Sequence, residues 1–196
     1  MQPLTKTLVS IAAIAAMLVM ASPAHAQTPI SAESLKAHFA KMGPFTAEAE
    51  QTKTARFLAR PLVSKVHLRY TAERIEWETL TPIHSSVVID KDGLHVQGGA
   101  GPGTAKQDPR AMALIRFIRN LFALDFAALE QDFTLSFEGR SMKAAPKESS
   151  SLKGMLGAIE MRFTDSLDLE SLQIVTPDET SKLLFQKLTP EARPTP

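Results

Sequence analysis

The alternation of apolar and polar side chains between residues 45 and 82 constrains the fold of this chain more than any other feature. Three runs in this stretch have a period of two, as half-buried strands do. The connections between the runs are short, which favours an antiparallel meander. One face of this predicted sheet is therefore apolar and the other is charged. The apolar face consists of Phe45, Ala47, Ala49, Val66, Leu68, Tyr70, Ile75 and Trp77.

The rest of the chain divides into predicted strands and helices by the same reasoning. Residues 31–42 form an amphipathic helix that Gly43-Pro44 ends, and Asp92-Gly93 is a strong hairpin turn within residues 84–97. Residues 109–122 change to a helical period, with a second turn or helix over 125–131. Further strands are predicted at 133–137, 141–147, 158–164, 168–176 and 181–188. The fold class is mainly β with some α, about ten antiparallel strands with one helical insertion.

The two ends of the chain are predicted to lie outside the single domain, which spans residues 27–189. Lys6, an uncharged apolar run over 8–21 and the small-x-small sequence Ala24-His25-Ala26 indicate a signal peptide, residues 1–26, cleaved after Ala26. An uncleaved N-terminal anchor is the alternative, but the run is shorter than the ~20 residues of a membrane span. The proline-rich tail, residues 190–196, is predicted to be disordered. Because of the predicted signal peptide, the chain is expected to be exported.

Charge and cysteine content exclude several classes of protein. The sequence has 22 basic and 21 acidic residues, and cleavage removes one basic residue, so the mature chain has no net charge. It offers no general basic field for nucleic acid. Without cysteine there is no disulfide, no thiol nucleophile and no acylated N-terminal thiol. We therefore expect a soluble protein that its core alone stabilises.

Searches for catalytic and metal-binding patterns find none of the established ones. His-Glu-x-x-His and Gly-x-Ser-x-Gly are both absent from the sequence. His67, His84 and His95 fall on predicted strands, but their spacing does not indicate a metal site, and no metal or cofactor is predicted. The acidic turn at residues 90–93 lacks the later ligands of a calcium loop. These observations predict that the protein is not an enzyme.

Two neighbouring features suggest a movable element. Residues 98–103 are rich in glycine and meet neither the phosphate-loop nor the dinucleotide pattern, so a hinge is predicted there. The following helix has a wide apolar stripe, which either packs permanently on the sheet or closes over a ligand. The predicted hinge glycines are Gly98, Gly99, Gly101 and Gly103.

Several ordered segments resemble the LolA family, the periplasmic carriers of bacterial lipoproteins. Residues 45–51, Phe-Thr-Ala-Glu-Ala-Glu-Gln, resemble the family's Phe-x-Ala-x-Phe-x-Gln opening strand. Residues 68–82, with Trp77 and Pro82, and the hairpin at 88–94 are similar to the next family segments in order and spacing. The sequence departs from the family at Ala49, where the second Phe is expected, and at Thr71-Ala72, where Arg-Pro is usual. That Arg helps to hold the lid closed in the family.

The resemblance implies an open, roughly half-closed β-barrel with helices over its mouth and an apolar cavity that holds acyl chains. We predict a soluble periplasmic carrier or chaperone that moves a lipoprotein or lipid between the inner and outer membranes. The expected partners are an acylated ligand, an inner-membrane transporter as donor and an outer-membrane acceptor, and the carrier is expected to be a monomer. Alternatives are a carrier of a non-lipoprotein lipid-linked product, a lipid-acting enzyme, and a structural domain with a filled core. The predicted cavity-lining residues are Phe45, Ala47, Ala49, Leu68, Tyr70, Ile75, Trp77, Met112, Ile115, Ile118, Phe122 and Leu135.

Overall fold

Ten strands and three helices make up the part of the chain that the computed structural model describes, residues 29–98 and 109–191. The predicted signal peptide, the glycines at 99, 101 and 103, and residues 192–196 lie outside it. In chain order the elements are α1 (Ala32–Met42), β1 (Phe45–Ala55), β2 (Leu62–Tyr70), β3 (Ile75–Thr81), β4 (Ser85–Asp90), β5 (Gly93–Gly98), α2 (Pro109–Phe122), α3 (Phe126–Asp132), β6 (Phe133–Glu138), β7 (Ser141–Pro146), β8 (Ile159–Phe163), β9 (Leu169–Val175) and β10 (Glu179–Pro190).

All ten strands belong to one antiparallel sheet, in the order β5-β4-β3-β2-β1-β10-β9-β8-β7-β6. The first and last strands pair in the middle, and the two edge strands, β5 and β6, are not paired with each other. The chain passes from one edge to the other through α2 and α3. This arrangement confirms the predicted fold class: an open antiparallel sheet with an N-terminal helix and a helical insertion.

The register of the first strands places apolar residues opposite apolar residues. Phe45 pairs with Tyr70 across β1 and β2, and Tyr70 in turn lies opposite Ile75 on β3. Leu68 lies opposite Trp77 in the same ladder. Because side chains alternate between the two faces of a strand, these pairs share one face. That face, together with the helices, forms one continuous hydrophobic core.

The opposite face of the sheet carries ion pairs, and one of them involves Glu191, the last residue that the structure describes. Arg69 Nε lies 2.6 Å from Glu191 Oε1, and Lys53 Nζ lies 3.3 Å from Glu179 Oε1. The sequence predicts a disordered tail from residue 190. Pro190 is instead the last residue of β10, and Glu191 follows it in the described chain. The prediction for 192–196 falls outside the described residues.

Helix α1 begins with a capping box formed by two serines. The Ser31 hydroxyl accepts from the Ser34 backbone N–H at 3.1 Å, and the Ser34 hydroxyl accepts from the Ser31 backbone N–H at 2.9 Å. Serine therefore replaces the usual glutamate at this position. The helix packs through the fully buried Leu35 and through Phe39, whose ring meets that of Phe45 edge-on at 6.0 Å.

Within residues 29–98 and 109–191, no helix has the length and apolar character needed to cross a membrane.

Candidate functional site

Helix α2 packs on the sheet through one side of its surface. Phe117, Leu121 and Phe122 are buried there, and the Phe117 ring centroid lies 4.6 Å from that of Phe133 at the start of β6. The Phe122 ring stacks on that of Tyr70 at the end of β2, at 6.3 Å. The helix thus spans the space between strands from the two halves of the sheet.

Apolar contacts provide the attachment of α2 to the sheet. No side-chain hydrogen bond or ion pair joins residues 112–122, the part of α2 whose side chains the structure describes, to a strand. The C-terminal end of α2 is fixed by backbone bonds, since Asp125 N–H donates to Asn120 O at 2.9 Å and Leu124 adopts a left-handed conformation, φ +49°. The docking of α2 against the strands therefore depends on hydrophobic burial, which has no directional preference.

A cleft of about 380 Å³ lies along the other side of α2. Its far wall is formed by the turn between β2 and β3 and the turn between β4 and β5. The volume falls within the usual range of ligand sites, about 300–1,000 Å³. The cleft is lined by Tyr70, Thr71, Ala72, Arg74, Ile75, Asp90, Lys91, Gly93, Met112, Ile115, Arg116, Arg119, Asn120 and Ala123.

The apolar part of the cleft continues the inner face of the sheet. Ile75 and Ile115 are buried side chains that belong to the core, and Tyr70 packs against it. Burial raises the pKa of the Tyr70 hydroxyl, while the positive charge of Arg119 acts in the opposite direction. Met112 is 41% exposed at the edge of the cleft. The cleft therefore leads from solvent to the core.

The polar part of the cleft holds four cations and one carboxylate. Arg74 Nε lies 2.8 Å from Glu76 Oε1 and is thereby paired. Asp90 Oδ1 accepts from the Asp92 backbone N–H at 2.8 Å and lies 3.3 Å from His95 Nε2. These bonds, the Asp92 N–H first, hold the pKa of Asp90 below its usual value. The four cations are Arg74, Lys91, Arg116 and Arg119.

Four of the twelve predicted cavity-lining residues line this cleft: Tyr70, Ile75, Met112 and Ile115. Five others are buried in the packed core: Phe45, Ala47, Ala49, Leu68 and Phe122. The remaining three are partly buried against that core: Trp77, Ile118 and Leu135. The space that the sequence predicted to hold a ligand is thus filled by side chains here, and lipid binding by these residues stays a prediction.

Sequence reasoning did not anticipate the polar residues of the cleft. In the sequence, Arg116 and Arg119 fall between the apolar residues of α2, and Lys91 falls within the acidic turn at residues 90–93. The i, i+3 spacing of the two arginines predicts that they share one side of the helix. No periodicity, however, indicates that a turn between two strands faces that side.

The first of the predicted hinge glycines is held in place by its neighbours. Gly98 ends β5 opposite Ser85, with φ +79°, and a Cβ there would lie 2.8 Å from the His84 carbonyl oxygen. Only glycine fits this position without a clash. A hinge would therefore begin after Gly98, and the other three glycines fall outside the described residues.

Of the three histidines predicted to lie on strands, His67 is on β2 and His95 on β5, whereas His84 precedes β4, and two of them lie beside carboxylates. His84 Nε2 lies 2.7 Å from Glu78 Oε1, and His95 Nε2 lies 3.3 Å from Asp90 Oδ1. Elsewhere, His38 Nε2 lies 3.0 Å from Asp168. In residues 29–98 and 109–191, no group of three histidine or acidic side chains is arranged to hold a metal ion.

Comparisons with known proteins find similarity in structure only. No protein-family model and no curated protein sequence matches the chain. A LolA superfamily protein from Nitrosomonas europaea is 8% identical with a TM-score of 0.42, over 84% of this chain and 96% of that one. The lipoprotein LppX of Mycobacterium tuberculosis is 12% identical with a TM-score of 0.42, over 83% and 99%. An outer membrane lipoprotein-sorting protein domain from Vibrio parahaemolyticus is 10% identical with a TM-score of 0.40, over 81% and 89%.

Proposed function

We propose that this protein binds acyl chains between α2 and the inner face of its sheet, as a periplasmic carrier of a lipoprotein or another lipid-linked product between the inner and outer membranes. The observation that carries the proposal is the attachment of α2, which covers the apolar face and docks on the strands through apolar side chains. An acyl chain offers the same kind of surface. It can therefore replace the contacts of α2 without leaving a buried polar group unpaired.

The energy of binding would come from apolar area removed from water, at about 25 cal/mol per Å². The cleft of about 380 Å³ lies at the small end of ligand sites and leads to the buried Ile75 and Ile115. A long or double acyl chain needs more space, so α2 would move outward to admit it. Carrier function thus requires that α2 opens while the sheet stays folded.

An enzyme acting on lipids is the alternative, and the arrangement around His38 is the best place to look for one. Asp168 lies 3.0 Å from His38 Nε2, as in a base oriented by a carboxylate. A nucleophilic serine would donate to the histidine ring. The Ser166 hydroxyl instead donates to the carboxylate, at 2.9 Å from Asp168 Oδ2. This geometry favours a loop held by hydrogen bonds.

The lone tryptophan makes a direct test of the proposal simple. Trp77 lies on the inner face, opposite Leu68 and Val87 on the neighbouring strands. The chain is exported, purified and mixed with a fatty acid brominated along its chain, and tryptophan emission is recorded. We expect saturable quenching, because the bromine reaches the inner face only when the acyl chain is bound there. An unbrominated fatty acid of equal length is the matched control and should not quench.

Native mass spectrometry of the chain purified from a periplasmic extract provides the second measurement. We expect a co-purifying acylated molecule and a mature N-terminus at Gln27, which also tests the predicted cleavage. Carrier function would be refuted if the brominated fatty acid does not change Trp77 emission and the mass spectrum shows only the protein without a ligand. The protein would then be a structural domain. A catalytic activity on lipids that is present in the wild-type protein and lost in a folded His38→Gln variant would instead favour the enzyme.

A further inference from the structure

The cleft beside α2 has a local excess of positive charge. Lys91, Arg116 and Arg119 line it with Arg74, and Asp90 is the acidic residue of the same lining. The whole sequence has a formal net charge of only +1. The excess is therefore a property of this place on the molecule and not of general basicity.

The charges of the cleft differ in how far they are already neutralised. Arg74 is paired with Glu76 at 2.8 Å, and Asp90 is held by its own turn through the Asp92 backbone N–H. Within the described residues, no ion pair involves Lys91, Arg116 or Arg119. These three cations are consequently the groups available to an anion that enters the cleft.

Cations and apolar surface lie side by side in this cleft. On α2, Met112 and Ile115 precede Arg116 and Arg119 on the side that lines the cleft, and Ile75, the first residue of β3, lines it with them. Arginine binds phosphate oxygens through paired N–H donors, which makes it well suited to a phosphate group. An uncharged acyl ligand would use the apolar surface and leave these guanidinium groups without a partner.

We infer that the cleft holds the anionic phosphate headgroup of an acyl lipid, with Lys91, Arg116 and Arg119 around the phosphate and the acyl chains directed past Ile75 and Ile115 under α2. This inference rests on the proposed function, because it assigns the acyl chains to the same inner face. It adds a preference: a phosphodiester lipid binds more tightly than a neutral lipid with identical chains.

The test compares two short-chain lipids below their micelle concentrations, on the exported mature protein. Dioctanoyl phosphatidylglycerol is the anionic probe, and dioctanoylglycerol has the same chains without the phosphate. Binding is measured by isothermal titration calorimetry at low and at moderate salt. Affinity for the anionic probe should fall as salt rises, because screening weakens charge pairing, and affinity for the neutral probe should not.

Variants assign the effect to the named side chains. Arg116→Gln combined with Arg119→Gln should weaken binding of dioctanoyl phosphatidylglycerol about tenfold and leave dioctanoylglycerol unchanged, since partly exposed charge pairs contribute up to about fivefold each. Arg162→Gln, at an exposed position of β8, is the matched control and should change neither. Asp90→Asn should act in the opposite direction and tighten binding of the anionic probe. Circular dichroism confirms that each variant is folded.

The outcomes separate this inference from the proposed function. If the wild-type chain binds both lipids equally, or the double variant retains its preference, the headgroup assignment is wrong and the carrier proposal stands. If neither lipid binds, both fail together. If inorganic phosphate competes as strongly as the lipid, the cleft is a site for free phosphate, and the assignment to a lipid headgroup is overturned. Salt-sensitive binding of the anionic probe that the Arg116→Gln and Arg119→Gln double variant weakens, and that Arg162→Gln leaves unchanged, supports it.

Discussion

Phe117→Ala should release α2 from the sheet without unfolding the rest of the protein. Phe117 is 4% exposed, and its ring lies against Phe133 with the centroids 4.6 Å apart. Truncation of a buried phenylalanine costs about 3–5 kcal/mol. If α2 is a lid, that cost applies to its docking and not to the global free energy of unfolding.

The expected change in lid opening follows from this energy. A loss of about 3–5 kcal/mol multiplies the population of the open state roughly 140- to 3,700-fold, at one factor of ten per 1.4 kcal/mol. Native-state hydrogen exchange of the α2 amides measures that population directly. We expect faster exchange over residues 112–122 and little change in the amides of β1 and β10 at the centre of the sheet.

Phe163→Ala is the matched control for this measurement. Phe163 is also fully buried, but it lies on β8, where its ring meets that of Phe39 edge-on at 6.3 Å. Its truncation should lower the global free energy of unfolding, measured in urea, without selectively exposing α2. If the α2 amides of the wild type exchange only through global unfolding, and Phe117→Ala lowers global stability by its full cost, α2 is a permanent part of the core and the lid is refuted.

Three further predictions concern charges at and near the cleft. Arg119→Gln should raise the pKa of Tyr70 further, because Arg119 opposes the effect of burial; absorbance at 295 nm reports it alone, since the chain has one tyrosine. Below its usual pKa, Tyr70 then contributes stability to the folded protein, and this contribution is lost as pH rises through the raised pKa of the folded state. An unchanged titration in the variant would show that Arg119 does not act on the Tyr70 hydroxyl. Thr71→Arg should speed hydrogen exchange of α2, because it adds a cation to a cationic cleft; slower exchange would support the latch expected from the family pattern. Arg69→Gln should bring the pKa of Glu191 back toward its usual value, and the stability difference from wild type should be present above that value and vanish as pH falls through the lowered pKa, which acid titration by NMR and by circular dichroism would check.

The sheet was predictable because strand parity leaves little choice. Leu68 alternates with His67 and Arg69, and Ile75 with Arg74 and Glu76, so a shift of one residue would bury these polar side chains and expose the apolar ones. Their cross-strand partners confirm that face. The hairpin at Asp92-Gly93 was equally clear, since that dipeptide favours the turn itself.

The orientation of α2 was not predictable in the same way. Its apolar residues cover a wide arc, so several rotations about the helix axis bury a similar area. The predicted inward-facing set includes Met112 and leaves out Phe117 and Leu121, whereas these two are buried together with Ile115 and Phe122, and Met112 lies at the edge of the cleft. The cationic group was missed because Lys91 and Arg116 meet only through tertiary structure.

The central position of β10 bears on how the chain reaches its native state. Strands β1–β5 and β6–β9 are two meanders of local pairings, and only β10, the last strand of the described chain, joins them by pairing with β1 and β9. Until residues 179–190 can pair, β1 and β9 each have an unpaired edge, and the two meanders are not joined in one sheet. Such late, long-range pairing slows folding and exposes strand edges to aggregation. A chain threaded through a membrane from its N-terminus would thus stay unfolded for nearly its whole passage. Holdase chaperones on the far side of the membrane could then bind β1 and β9 before β10 arrives to pair with them.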